Sequence, residues 1–187
     1  VDASSYELEE NIRRVRAVAA LAHDRGISVE AELGHVGVAA NADGQNEDYY
    51  TNVAQAEEFV KRTGCDCLAV AIGTAHGSYP KNMIPKLDFE RLRELKEKLN
   101  MPLVLHGGSG AGEENIKKAV LYGINKINVC TDFMDDTKAS MLKILEEQPD
   151  IQYMEMNEAL EESMKRFIKH FMRMIGSRGW YAFERDN

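Results

Sequence analysis

From Glu7 to Arg25 the apolar residues Leu8, Ile12, Val15, Val18, Ala19 and Ala22 recur at helical spacing, and Gly26 closes the helix. The pattern then changes to I-S-V-E-A-E-L over Ile27 to Leu33, a strand. Gly34 to Tyr50 is a glycine-, asparagine- and acid-rich loop, long for a compact domain and read as functional or mobile. Thr51 to Thr63 is helical, with Thr51 or Asn52 as N-cap and Gly64 as its stop. Cys67 to Ile72 is a continuous apolar run, which suits a strand buried on both faces. Gly73 to Leu87 is a loop holding Pro80 and Pro85, and Asp88 to Leu99 is a charged amphipathic helix. Pro102 to Leu105 is a short strand that runs into the turn His106-Gly107-Gly108-Ser109-Gly110. Glu113 to Tyr122 is a helix closed by Gly123, Lys126 to Cys130 a strand, and Thr131 to Glu147 a helix. Asn157 to Ile175 is a last long helix, and Gly176 to Asn187 a tail.

This order alternates strand and helix, which means a parallel α/β sheet. Val1-Asp2-Ala3-Ser4 reads as the tail of a further strand, so five strands are expected. They could form a small doubly wound domain or about half of a TIM (β/α)8 barrel. A whole barrel takes about 250 residues, and the chain has 187. Residues 1–187 are therefore expected to be one domain, with further strands upstream of Val1.

Net charge is −8 and no basic stripe is visible, which argues against a nucleic-acid partner. No apolar run is long enough to span a membrane. Cys65, Cys67 and Cys130 make an odd set, poor for a disulfide framework, so buried, reduced cysteines in a cytoplasmic protein are expected.

Parallel α/β folds bind ligands at the carboxyl ends of their strands. Those ends carry Asp2 and Ser4, Glu32, His76, His106, and Asn128 with Thr131. His76 and His106 each precede glycine at successive strand ends. Imidazole with carboxylate is a common zinc donor set, although each histidine could instead be structural. Glu30 and Glu32 point the same way, since strand side chains alternate. One could bind or orient a metal, or both could form an ion pair in the wall. The Gly107-Gly108-Ser109 turn can cradle a phosphate with backbone N–H groups. Thr131 could donate to the same phosphate or serve as an N-cap, and Asn128 could hold a substrate hydroxyl or make a structural hydrogen bond. A lysine Schiff base is disfavoured. Lys126 is read at the beginning of its strand, away from the chemistry, and Lys81 lies in a loop.

V-E-A-E-L-G, A-V-A-I-G-T-A-H-G, P-L-V-L-H-G-G-S-G and K-I-N-V-C-T-D, taken in order, resemble the class II fructose-bisphosphate and tagatose-bisphosphate aldolases. The resemblance implies a metal-dependent lyase that cleaves a ketose 1,6-bisphosphate to dihydroxyacetone phosphate and an aldehyde, as in glycolysis. It makes His76 and His106 two of the three histidine ligands of a catalytic zinc, which polarises the ketone and stabilises an enediolate. Gly77, Gly107, Gly108 and Ser109 would hold the substrate phosphate together with a monovalent cation, Na+ or K+. Asn128 would contact dihydroxyacetone phosphate, and Thr131 its phosphate. Asp2 and Glu32 would serve an alternate or second metal position, with Glu32 also taking part in catalysis. A homodimer or homotetramer is implied; the apolar face of the last helix could be one contact element or could equally cover the barrel.

Two features depart from the family. Its Asp-His-Gly motif, which supplies the catalytic aspartate and the first zinc histidine, is absent and would fall upstream of Val1. The acidic loop residue that moves protons is also missing, since the aligned stretch is Gly37-Val38-Ala39-Ala40-Asn41. Asp43, Glu47 or Asp48 would have to replace it. The alternatives are an aldolase for another ketose phosphate, a metal-free barrel epimerase or lyase, and a non-catalytic sugar-phosphate-binding barrel.

Overall fold

The structure, a computed structural model, describes residues 1–41, 45–80 and 83–177. Asp43 and Lys81 lie outside the described residues, as does the tail beyond residue 177. The chain divides into two compact units, Val1–Val129 and the part from Cys130 onward.

In the first unit α1 (Leu8–His23) leads into β1 (Glu30–Leu33), and then α2 (Val53–Thr63), β3 (Cys67–Val70), α3 (Phe89–Leu99), β5 (Leu103–Leu105), α4 (Glu113–Leu121) and β6 (Ile124–Ile127) follow. The helix starts follow from local chemistry. The Asn52 side chain accepts from the N–H groups of Ala54 and Gln55, and Asp88 accepts from that of Arg91. At the other ends Gly64 and Asn100 take the left-handed conformation that stops α2 and α3.

The four strands β1, β3, β5 and β6 pair in parallel in that order. Each connection is a helix, as parallel pairing requires. Leu68, Val70, Leu103 and Leu105 of the sheet and Phe59, Leu92, Leu95 and Ile116 of the helices are all buried. Val1 to Ala3 is not strand, although the N-terminal ammonium donates to the Glu30 carbonyl. Two short segments inside the expected loops, β2 (Gly37–Val38) and β4 (Ala75–His76), add a separate parallel pair. A pair of two-residue strands has too few residues to show a period.

The last strand differs most from expectation. It starts at Ile124, just after Gly123, and not at Lys126. Leu103 pairs with Ile124 but Val104 pairs with Lys126, so Asn125 is an extra, bulged residue. Its side-chain oxygen accepts from the N–H of Leu103 and from Lys96 Nζ. Beyond the bulge the partners Glu32, Ala69, Val104 and Lys126 form one row across the sheet, with their side chains on one face.

The second unit is a helix pair, α5 (Thr131–Glu147) and α6 (Tyr153–Met174). Phe133 packs on Phe167 with ring centroids 5.7 Å apart, and the Ser140 and Ser163 hydroxyls meet at 2.6 Å. α6 begins four residues before Asn157, with Gln152 as N-cap. Among the described residues no helix is long and apolar enough to cross a membrane. None of the three cysteines is in a disulfide; Cys65 is buried, Cys67 partly so, and Cys130 exposed, against the expectation that all three are buried.

Candidate functional site

The centre of the site is His106, the first residue past β5. Its Nδ1 lies 2.8 Å from Glu32 Oε2 and its Nε2 lies 3.0 Å from Glu30 Oε1. Both carboxylates come from β1, two residues apart, so the strand pleat aims them at one imidazole. The Glu32 side chain is only 4% exposed and that of His106 14%. Glu32 Oε1 accepts from the Ser4 hydroxyl at 3.2 Å, and the same hydroxyl donates to Asp2 at 2.8 Å. Glu30 Oε2 accepts from Lys126 Nζ at 2.9 Å.

These contacts set the ionisation of the group. The hydrogen bond from His106 to Glu32 pushes the imidazole above its ordinary value; burial opposes this and the bond to Glu30 adds to it. Burial would raise the Glu30 carboxyl, but its bonds to Lys126 and His106 take it below the usual range. Burial also works to raise Asp2; the Ser4 amide and hydroxyl, with the charges of His106 and His35, hold it below its ordinary value.

His76 ends β4, with its ring centroid 6.0 Å from that of His106 and the planes tilted by 46°. The two segments are joined tightly. Thr74 Oγ1 donates to the His106 carbonyl at 2.7 Å. A Cβ on Gly107, which has φ +65°, would stand 2.6 Å from the Ala75 carbonyl oxygen, so only glycine fits there. The Tyr79 hydroxyl accepts from the Ala75 N–H at 2.6 Å, and its ring lies where a side chain on Gly110 would go. Asn128 is bonded through its N–H to the Leu105 carbonyl at 2.9 Å, which puts it beside the turn at Gly108.

The structure thus brings His106, Glu32, Glu30, Ser4 and Asp2 into one hydrogen-bonded chain and sets His76, the glycine turn and Asn128 beside it. Thr131 opens α5 in the second unit. Gly77 has φ +93° and nothing within 4 Å of where a Cβ would stand. Ser109 is buried in the turn. Glu47 and Asp48 form a short 3-10 segment with Tyr49; Glu47 lines a cavity of about 440 Å³ with Gln45, Tyr50, Lys86, Asp88 and Lys118, which holds neither histidine.

Lys126 requires a correction. It stands next to the last residue of β6, not at the strand's beginning, and its ammonium joins Glu30 to Asn128 Oδ1 at 2.7 Å. Its place two residues before Asn128 was the available signal, because that spacing shares a strand face.

Two imidazoles with nearby carboxylates suit zinc by donor type. A carboxylate on Nδ1 is also how ligating histidines are usually oriented. Among the described residues, however, no three His, Cys, Asp or Glu side chains are grouped as a metal cage, and Glu30 faces His106 Nε2.

Known proteins resemble this chain in sequence and in fold. YdjI of Escherichia coli strain K12, an uncharacterized protein, is 40% identical over 179 residues, which is 95% of this chain and 62% of YdjI. The crystal structure of the YdjI aldolase superposes with a TM-score of 0.80 at 36% identity, over 95% of this chain and 60% of that one. A structure assigned as a fructose-1,6-bisphosphate aldolase from Coccidioides immitis gives a TM-score of 0.82 at 31% identity, over 98% of this chain and 64% of that one. The chain thus spans about three fifths of the length of these relatives. Its parallel sheet is part of a (β/α)8 barrel. The model of the class-II fructose-bisphosphate aldolase family matches residues 1–180, and the chain belongs to that family.

Proposed function

We propose that this chain is part of a metal-dependent aldolase that cleaves a ketose phosphate, of the fructose- or tagatose-bisphosphate type, to dihydroxyacetone phosphate and an aldehyde. The observation that carries the reading is His106, held on both ring nitrogens by Glu32 and Glu30 beside His76 and a glycine turn. His76 and His106 would hold zinc, completed by a further ligand from elsewhere in the protein. Bound zinc would polarise the ketone carbonyl of the substrate.

The chain's own residues do the rest. Glu32 fixes the His106 ring through Nδ1. Backbone N–H groups of the turn from Gly107 to Ser109 bind the phosphate, with Gly77 and a monovalent cation beside them. Asn128 hydrogen-bonds a substrate oxygen near the reacting carbon. Asp2 and Glu32 can hold a metal in an alternate position. In the cleavage, a base from elsewhere in the protein takes the proton of the hydroxyl on the fourth carbon, the bond between the third and fourth carbons breaks to leave the aldehyde, and the electron pair stays on the dihydroxyacetone phosphate side until a proton is returned to the third carbon. Residues 1–187 would act as one domain within a barrel that assembles as a homodimer or homotetramer in the cytoplasm.

The test is release of dihydroxyacetone phosphate from fructose 1,6-bisphosphate and from tagatose 1,6-bisphosphate by the full gene product, with and without a chelator. Release that the chelator abolishes and zinc restores supports the reading, and the faster sugar names the substrate. Zinc binding without release moves the assignment to another ketose phosphate or to a non-catalytic sugar-phosphate binder; the absence of both zinc binding and release sinks it. One observation favours a second reading. An imidazole bonded to carboxylates at both nitrogens is also equipped for acid–base chemistry without metal, and turnover unaffected by chelator would select that.

A further inference from the structure

The structure assigns Lys126 as a positioning residue that holds Asn128 as a hydrogen-bond donor toward substrate, an assignment that rests on Asn128 being a substrate contact. An asparagine amide can present either its oxygen or its NH2 group, and the two faces are close to the same size. A lysine ammonium has three donors and no acceptor. The atom 2.7 Å from Lys126 Nζ is therefore the Asn128 oxygen, and the NH2 group must face the other way. Among the described residues that NH2 group has no protein acceptor, and Asn128 is exposed beside the glycine turn.

Lys126 is itself held in place. Glu30 Oε2 accepts from it at 2.9 Å while Glu30 Oε1 faces His106 Nε2, so a single carboxylate links the lysine to the histidine. The Lys126 side chain is 53% exposed and that of Glu30 27%, so the pair adds little to stability. Its geometric effect is larger. The bulge at Asn125 puts Lys126 in the row of Glu32, and Asn128 follows on the same face two residues on. A donor fixed in this way recognises a substrate oxygen as acceptor, such as a hydroxyl or a developing oxyanion. It does not accept from a hydroxyl hydrogen.

The experiment compares the full-length protein with Lys126→Met, Lys126→Arg, Asn128→Ala and the Lys126→Met/Asn128→Ala double variant. The readouts are triose phosphate release and the side-chain NH2 resonances of Asn128 by NMR, titrated with dihydroxyacetone phosphate. Lys126→Met lowers kcat by about 10²-fold, the size expected of a misaimed group, while its urea midpoint stays put. Lys126→Arg, which can still donate to both partners, recovers most of the loss. In the Asn128→Ala background Lys126→Met costs less than about twofold, as for residues that act as a unit. The Asn128 resonances respond to dihydroxyacetone phosphate in the unsubstituted protein and the arginine variant but not in the methionine variant. Losses that multiply in the double variant would overturn the assignment, as would resonances that respond alike in all three proteins or in none. If neither bisphosphate is cleaved and the resonances still respond only when residue 126 can donate, the aldolase reading fails and Lys126 keeps its role.

Discussion

Two histidine–carboxylate pairs of nearly equal length sit in very different parts of the sheet. His106 and Glu32 meet at 2.8 Å, the histidine just past β5 and the glutamate within β1, with side chains 14% and 4% exposed. His23 and Asp66 meet at 2.9 Å where α1 ends and β3 has yet to begin, 44% and 42% exposed. The outer pair acts as a local staple, since Asp66 also accepts from the Val29 N–H at 2.6 Å. Water screens it, so its length says little about its strength. The inner pair is enclosed, shared with a second carboxylate, and raises the His106 pKa. Contact distance is thus a poor guide to energetic weight, and burial a better one.

The sharpest break of this comparison is alanine at each histidine. His106→Ala leaves Glu32 enclosed with only a serine hydroxyl as donor, and urea unfolding should show a loss of about 3 kcal/mol. Next comes Gly107→Ala. Its methyl would meet the Ala75 carbonyl in a left-handed backbone, so a loss of about 2 kcal/mol is expected in the same assay. Smaller still is the pH effect in metal-free protein. A raised folded-state pKa stabilises fully below the unfolded value of 6.5, and the gain is lost as pH rises through the folded value. The melting temperature should therefore fall as pH rises from 6.5 upward, and His106→Ala should flatten that slope. The smallest effect is His23→Ala, under about 0.5 kcal/mol. A loss at His23 equal to that at His106 would defeat the comparison.

The fold was legible to different depths in different places. Asn52, Gly64 and Asp88 announce their helix ends because capping is settled within a few residues. The apolar run at Cys67 announces a buried strand for the same local reason. β2 and β4 did not show, because two-residue strands carry no period. The start of β6 was misplaced because a bulge inserts a residue that only its partner strand reveals.

The candidate site divides along the same line. The sequence by itself determined that Glu30 and Glu32 share a strand face, that His106 follows a strand, and that a glycine turn follows His106. Only the tertiary structure decided that one imidazole meets both glutamates, across 74 and 76 residues of chain, and that Lys126 reaches Glu30 across 96. Periodicity is a property of neighbours along the chain, whereas strand register and the Asn125 bulge are properties of pairing between distant segments. That is why Lys126 reads as remote from the site in the sequence and lies within it in the fold.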